Sequence, residues 1–331
     1  MDWEQRCIRL CAAVLICAVL LRLWTDGAFV PVGRALESER TASFLLYLQT
    51  GRVVRSLPEP SVRDQVPVRE PPAEQPAQKK TSAFTGEDLE RITVNDTCGA
   101  SPDLQALLTD QQGPELTGEG PRVLILHSHT TESFTQTELD RYEESSPYRT
   151  LDPGHNMIEL GQIVAEILRD SGIEVIHDTE LHDYPSYNGS YSHAAASTRE
   201  LLEQYPTIEL ILDLHRDAAD TPTGQMATRC TVGGESAAQL MFVMGTDTRL
   251  KHPDWERNLS LALKLQALLE RENPGLCRDL KLSQNRYNQH LGEYALLIEI
   301  GAAGNTLDQA RLAARELGEA IVQLSKMEHT E

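Results

Sequence analysis

The chain has 331 residues, 40% of them hydrophobic, which suffices for one substantial core or two smaller ones and excludes a largely disordered protein. Its 50 acidic against 30 basic side chains leave a formal net charge of -20, so nucleic acid is excluded as a partner and anionic lipid is repelled in bulk, whereas a neutral or mixed polymer fits. Cys7, Cys11 and Cys17 lie in the first apolar run, and Cys98, Cys230 and Cys277 have no CxxC spacing, which excludes a disulfide framework and a cysteine zinc site and leaves room for at most one bridge.

In chain order, the first element is the apolar run "LCAAVLICAVLL" (10–21), bracketed by Arg9 and Arg22. Counted from Cys7 to Trp24 it reaches the roughly 17 to 25 residues that a bilayer span needs, because arginine ends snorkel. No A-x-A cleavage signature follows, so the run reads as a retained signal anchor over residues 1–30, with the bulk of the chain outside the cytoplasm. "TASFLLYLQTGRVV" (41–54) fits a short amphipathic or stalk element. Pro58, Pro60, Pro67, Pro71, Pro72 and Pro76 then make 56–80 an extended spacer. Residues 31–120 are thus expected to be a juxtamembrane segment and linker.

From Pro121 the pattern changes. "RVLILH" reads as a buried strand, and Leu160, Ile163, Val164, Ile167 and Leu168 mark one face of a helix closed by "DSG". "IEVIHD" is a strand, 197–205 a helix, and "IELILDLH" and "LMFVMG" are strands. "NLSLALKLQALLERENPG" is a helix, "ALLIEIG" a strand, and "TLDQARLAARELGEAIVQLSKM" a final helix. This alternation predicts an α/β domain over 121–331, a mostly parallel sheet with helices on both faces.

Sites in parallel α/β sheets gather at the carboxyl ends of strands. His129 and Glu132 follow "RVLIL", His215 ends "ILDLH", and Glu299 sits in "ALLIEIG". Two histidines and a carboxylate form a standard catalytic zinc set that keeps one position open for water, and a second carboxylate serves as general base. A single histidine at a strand end is as readily a turn-bonded residue. Glu299 is harder to explain blandly, because a carboxylate inside an apolar strand costs several kcal/mol unless it faces a polar cleft. His127, two residues before His129, reads as an alternative ligand or a support for one. The loop "HDTELHDYPSYNGSY" (177–191) offers His182, Tyr184 and Tyr187 to a polar substrate. Arg216 either orients a substrate carboxylate or amide oxygen or pairs with an acid such as Asp217.

The stretches "ILHSHTTESF", "HDTELHDYPSYNGSYSHAAASTRELLEQYPTIELILDLHRDA", "YNQHL" and "ALLIEIGAAGNTLDQA" resemble the stage II sporulation protein P family of endospore-forming bacteria, from residue 123 to about 320. The N-terminal run and spacer match that family's layout. The resemblance implies an amidase-like fold and a zinc-dependent peptidoglycan hydrolase. Its implied activity is that of an N-acetylmuramoyl-L-alanine amidase, with endopeptidase action on cross-links in addition. It also implies a single-pass membrane protein acting in the space between mother cell and forespore during engulfment, with stage II sporulation proteins D and M as partners. In related amidases one histidine ligand follows the first strand, matching His129, and a second ends the strand matching "ILDLH", His215. A catalytic glutamate matches Glu299. Their carboxylate ligand precedes an asparagine matching Asn156, but "YRTLDPGHNMIELG" has no glutamate at that place, so the third ligand is Glu132 with Asp152 and His155 as rivals. The competing reading is a membrane-tethered peptidoglycan-binding or scaffold module without catalysis, which has no use for a metal.

Overall fold

The computed structural model describes residues 83–328 apart from residue 223. The expected anchor (1–30) and the proline-rich stretch (56–80) lie outside the described residues. Among the described ones, no helix is long and apolar enough to cross a membrane. In chain order the elements are α1 (Gly86–Leu89), β1 (Val94–Asp96), α2 (Leu104–Thr109), β2 (Val123–Leu126), α3 (Met157–Asp170), β3 (Val175–His177), α4 (Ser190–Gln204) and β4 (Leu210–Asp217). Then follow β5 (Asp220–Thr221), β6 (Gly224–Gln225), β7 (Arg229–Val232), β8 (Glu235–Ala238), β9 (Leu240–Gly245), α5 (Trp255–Glu272), β10 (Leu280–Ser283), β11 (Tyr294–Ala302) and α6 (Leu307–Glu328).

Seven strands form one sheet in the order β1-β10-β9-β11-β4-β2-β3. Five of the six neighbouring pairs are parallel, and β9 runs antiparallel to β11. Successive residues of a strand point to opposite faces, and the packing follows that alternation. Val123, Ile125, Leu212, Leu214, Phe242 and Ile298 enter the main core with α3, α5 and α6. On the other face Leu124, Leu126, Ile211 and Ala295 meet Ala194 and Leu201 of α4. Further along that same face Met241, Val243 and Leu297 form a small separate cluster with Tyr287 beside it. Among the described residues the expected helical cover is complete on one face and partial on the other: there α4 caps β2, β4 and the start of β11, and no described helix packs over β9 and β10.

The described part of the expected linker is folded. Val94 of β1 pairs with Leu280 of β10, and Phe84, Ile92, Leu108 and Leu116 are buried in the main core. Asp88 accepts two hydrogen bonds of 2.6 Å from Arg271 on α5, and Lys264 Nζ donates to Gln112 O at 2.6 Å. The folded unit thus begins well before residue 121. β1 is three residues long with two of them polar, so it carries no apolar run to mark it. Helix α4 starts at Ser190 instead of near 197, because Gly189 at φ +94° turns the loop into a first turn of small residues that has no apolar periodicity.

Candidate functional site

Strand β2 ends at Leu126, and the chain turns so that the Glu132 amide donates to His129 O at 3.2 Å. This turn carries both side chains toward the end of β4, where His215 stands. His129 Nδ1 lies 3.4 Å from Glu132 Oε1, and His215 Nδ1 lies 3.6 Å from Glu132 Oε2. One ligand atom from each of the three residues falls within 4.8 Å of the others, and all three residues are buried. Those separations are long for strong hydrogen bonds. They match the edge of a tetrahedron built on metal–ligand distances of 2.0–2.2 Å, about 3.3–3.6 Å. Two imidazoles and a carboxylate are also the donor set of a catalytic zinc, so the residues fit that ion.

Each member is held by its neighbours. Asp213, on the same face of β4 as His215, places Oδ1 2.8 Å from His215 Nε2, a charge contact that misses hydrogen-bond alignment. Asp213 is itself fixed by the amide (2.8 Å) and hydroxyl (2.6 Å) of Ser128. Burial opposes a proton on His215, but Asp213 and Glu132 outweigh it and hold its pKa well above the ordinary value. Burial likewise opposes ionisation of Glu132, yet His129, His215 and Arg216 keep its carboxyl well below the usual range. Arg149 donates to Glu132 Oε1 at 3.3 Å and pairs with Asp183. Its guanidinium also covers the ring of Tyr187 at 4.9 Å.

Glu299 of β11 is the register partner of His215 on β4, so the two side chains stand side by side. It lines a cleft of about 730 Å³ together with Tyr191, Tyr287, Arg278 and Lys281. Its Oε2 is sealed from solvent and has no hydrogen-bond partner. Burial pushes its pKa up to about 8, opposed by His215 and reinforced by the Glu132 and Asp217 carboxylates. Tyr191 packs parallel to His215 at 6.1 Å and edge-on to His129 at 5.2 Å. Burial and the nearby carboxylates raise its phenol pKa, so the hydroxyl remains a donor at the cleft.

Other residues singled out from sequence stand elsewhere. His127 is fully buried behind the site: its Nδ1 donates to Leu214 O at 3.0 Å, and its Nε2 lies 2.9 Å from His177 Nε2. With β2 ending at Leu126, His127 does not share a face with His129. His182 is buried with Nε2 3.1 Å from Asp178, so it braces the loop and offers no surface to a ligand. Arg216 is buried and donates to the carbonyls of Ser133 and Tyr148, both at 2.9 Å. Its guanidinium is committed to loop and ligand rather than to a substrate. Asp152 and His155 bond each other at 2.9 Å and lie outside the His129–Glu132–His215 group. Tyr187 stacks on His129 at 4.7 Å and is 54% exposed; Tyr184 is exposed on the same loop. The sequence reading missed Asp213, Arg149 and Tyr191. For Asp213 a signal existed, since an acid two residues before His215 in a buried strand faces the same way.

The family model for stage II sporulation protein P matches residues 52–322. Stage II sporulation protein P of Bacillus subtilis (strain 168) is 24% identical over 270 residues, covering 78% of this chain and 62% of that protein. The chain thus spans less than two thirds of that relative's length. Among solved structures, N-acetylmuramoyl-L-alanine amidase AmiC2 of Nostoc punctiforme aligns with 64% of this chain and all of its own, at 14% identity and a TM-score of 0.38. The N-acetylmuramoyl-L-alanine amidase of Clostridium difficile 630 gives 17% identity, the same coverage and a TM-score of 0.35.

Proposed function

The chain belongs to the stage II sporulation protein P family, and from that membership and the geometry at the ends of β2 and β4 we propose that it is a zinc-dependent peptidoglycan hydrolase. The bond cut is the amide between N-acetylmuramic acid and the L-alanine of the stem peptide, with peptide cross-links as a second target. The observation that carries this reading is Glu299, an unpartnered carboxylate set directly beside a buried His–Glu–His cluster. A scaffold or binding module has no use for an acidic side chain buried there without a hydrogen-bond partner at a cost of several kcal/mol.

In this reading His129, Glu132 and His215 hold the zinc. Bound there, zinc supplies Lewis acidity, lowering the pKa of water toward about 7 and polarising the scissile carbonyl. Glu299 accepts the proton released as water's oxygen bonds to the carbonyl carbon, and delivers it to the nitrogen as the C–N bond breaks, leaving a carboxylic acid and an amine. A carboxyl raised to about 8 suits a group that must both take and give a proton near neutral pH. Asp213 and Arg149 fix the ligands, and Tyr187 and Tyr184 present aromatic faces to the sugar. The N-terminal run at 1–30 anchors the enzyme on the extracytoplasmic face of a membrane, where stage II sporulation proteins D and M are its expected partners.

The test is Glu299→Gln in protein purified with its metal. Release of stem peptides from purified peptidoglycan, followed by mass spectrometry, should fall by roughly 10²- to 10⁴-fold while the zinc content stays unchanged. Undiminished release would remove Glu299 from its role. A metal-free wild-type chain that binds the polymer and releases nothing after zinc is supplied would leave the binding module.

A further inference from the structure

The cleft beside Glu299 runs along the β9–β10 half of the sheet. Its floor is Met241, Val243 and Leu297, side chains of β9 and β11 on the face where, among the described residues, no helix packs. At the far end stand Lys281 of β10 and Asn95 of β1. Lys281 is exposed, and among the described residues its ammonium forms no ion pair, although the chain is strongly acidic. The neighbouring Arg278 is already neutralised by Asp217 at 2.7 Å, and Asp279, on the same cleft wall, forms no ion pair with Lys281.

The register fixes the spacing. Glu299 faces Met241, Leu297 faces Val243, and Val243 faces Lys281. Two strand spacings across and two residues along put Lys281 about 12 Å from Glu299 between Cα atoms. An extended peptide covers that distance in three to four residues. At the opposite side of the metal-capable cluster are the exposed Tyr187 and Tyr184, flat faces suited to a sugar ring. The two sides of the site therefore differ in chemistry: aromatic toward the 177–191 loop, apolar-floored and ending at the exposed Lys281 along the cleft.

We propose that the cleft running from Glu299 to Lys281 holds the peptide arm of the substrate in extended form, and that Lys281 binds a carboxylate three to four residues from the scissile amide. This assignment rests on the hydrolase reading for the position of that amide, and it sets the direction in which the substrate lies: sugar toward the tyrosines, peptide toward β1.

The test uses the full-length chain and two non-hydrolysable N-acetylmuramoyl tetrapeptides, identical except that the third and fourth residues carry carboxylates in one and carboxamides in the other. By calorimetry the wild type should bind the carboxylate form roughly three- to ten-fold more tightly at low salt, and the preference should shrink as salt is added. Lys281→Met, an exposed position that leaves the core intact, should abolish the preference without changing affinity for the carboxamide. Lys281→Glu should reverse it. Equal binding of both ligands by the wild type, or a preference that survives in Lys281→Met, overturns the assignment. Hydrolysis of the corresponding cleavable pair is scored separately. A chain that prefers the carboxylate form but cleaves neither would retain the Lys281 subsite and refute the hydrolase reading, whereas one that binds and cleaves both alike would do the reverse.

Discussion

Replacing Gly161 by alanine should destabilise the protein, although the same change in most helices does the opposite. Gly161 lies in the buried face of α3, and a Cβ built there would sit 2.5 Å from His177 Nε2 and 2.6 Å from His127 Nε2. The His127 ring has no room to retreat. His127 is fully buried and its Nδ1 is tied to Leu214 O at 3.0 Å. Because a carbonyl only accepts, that Nδ1 carries the proton, and His127 Nε2 must in turn accept from His177 Nε2–H at 2.9 Å. The added methyl therefore breaks a buried hydrogen bond, costing about 1–3 kcal/mol, and overpacks the site for about 1–3 kcal/mol more. Helix propensity returns only about 1 kcal/mol. The net loss of about 1–5 kcal/mol corresponds to a fall in Tm of roughly 2–20 °C for a folded unit of this size. Urea unfolding of Gly161→Ala gives the number directly. The double variant with His177→Ala should lose less than the sum of the two single changes, since the smaller side chain makes room for the methyl. An unchanged or raised unfolding midpoint in Gly161→Ala would refute this account of the histidine pair.

The same pair gives a pH dependence. Burial, then repulsion from His177, lowers His127 to about 3, and burial, then Arg169, lowers His177 to about 4. Unfolded histidine titrates near 6.5, so the unfolded chain takes up protons first. The contribution of this pair to stability should be level above about pH 6.5 and fall as pH drops toward about 4, with a slope of up to about 1.4 kcal/mol per pH unit for each ring; the difference in urea midpoints between wild type and His177→Gln should therefore narrow as pH falls through that range. Asp213→Asn should weaken zinc binding by roughly 10- to 100-fold in competition with a chromogenic chelator, because His215 loses the carboxylate that orients it. Removing zinc should lower Tm by about 5–10 °C from a state with free zinc at about 100 times its Kd, the effect of about 2.7 kcal/mol of linkage. The metal-free protein should nevertheless unfold cooperatively, since Asp213 already holds His215, and Arg149 and Arg216 hold Glu132.

Much of this architecture is legible in the sequence where apolar period and length agree. "RVLILH", "IELILDLH" and "ALLIEIG" are unambiguous because strands buried on both faces are continuous apolar runs, and Glu299 and Asp213 are conspicuous as acids within them. Where burial is one-sided or the element is short, the signal fades. β1 and β10 border the cleft, so Asn95 and Lys281 interrupt their apolar content. The β7–β8 hairpin had a readable turn in Gly233–Gly234, both at positive φ, although its strands are mostly polar. The roles of His127 and His182 depended on where a strand stopped and a loop folded back. Periodicity holds no information about either, and identical residue types two positions apart came to opposite ends: one at the site, one sealed behind it.

Arg216 gives the site a property beyond rigidity. Its guanidinium grips the carbonyls of Ser133 and Tyr148, and the Ser133 amide donates to that same Tyr148 carbonyl at 3.0 Å. The excursion from 134 to 147 is therefore closed at its base like a purse-string, just beyond Glu132. Exposed residues of that excursion, such as Leu139, can therefore be exchanged without moving Glu132 at its root, whereas Phe134 and Tyr142, which pack and bond at the base, cannot. The outer rim is thus mechanically decoupled from the His129–Glu132–His215 group beside it.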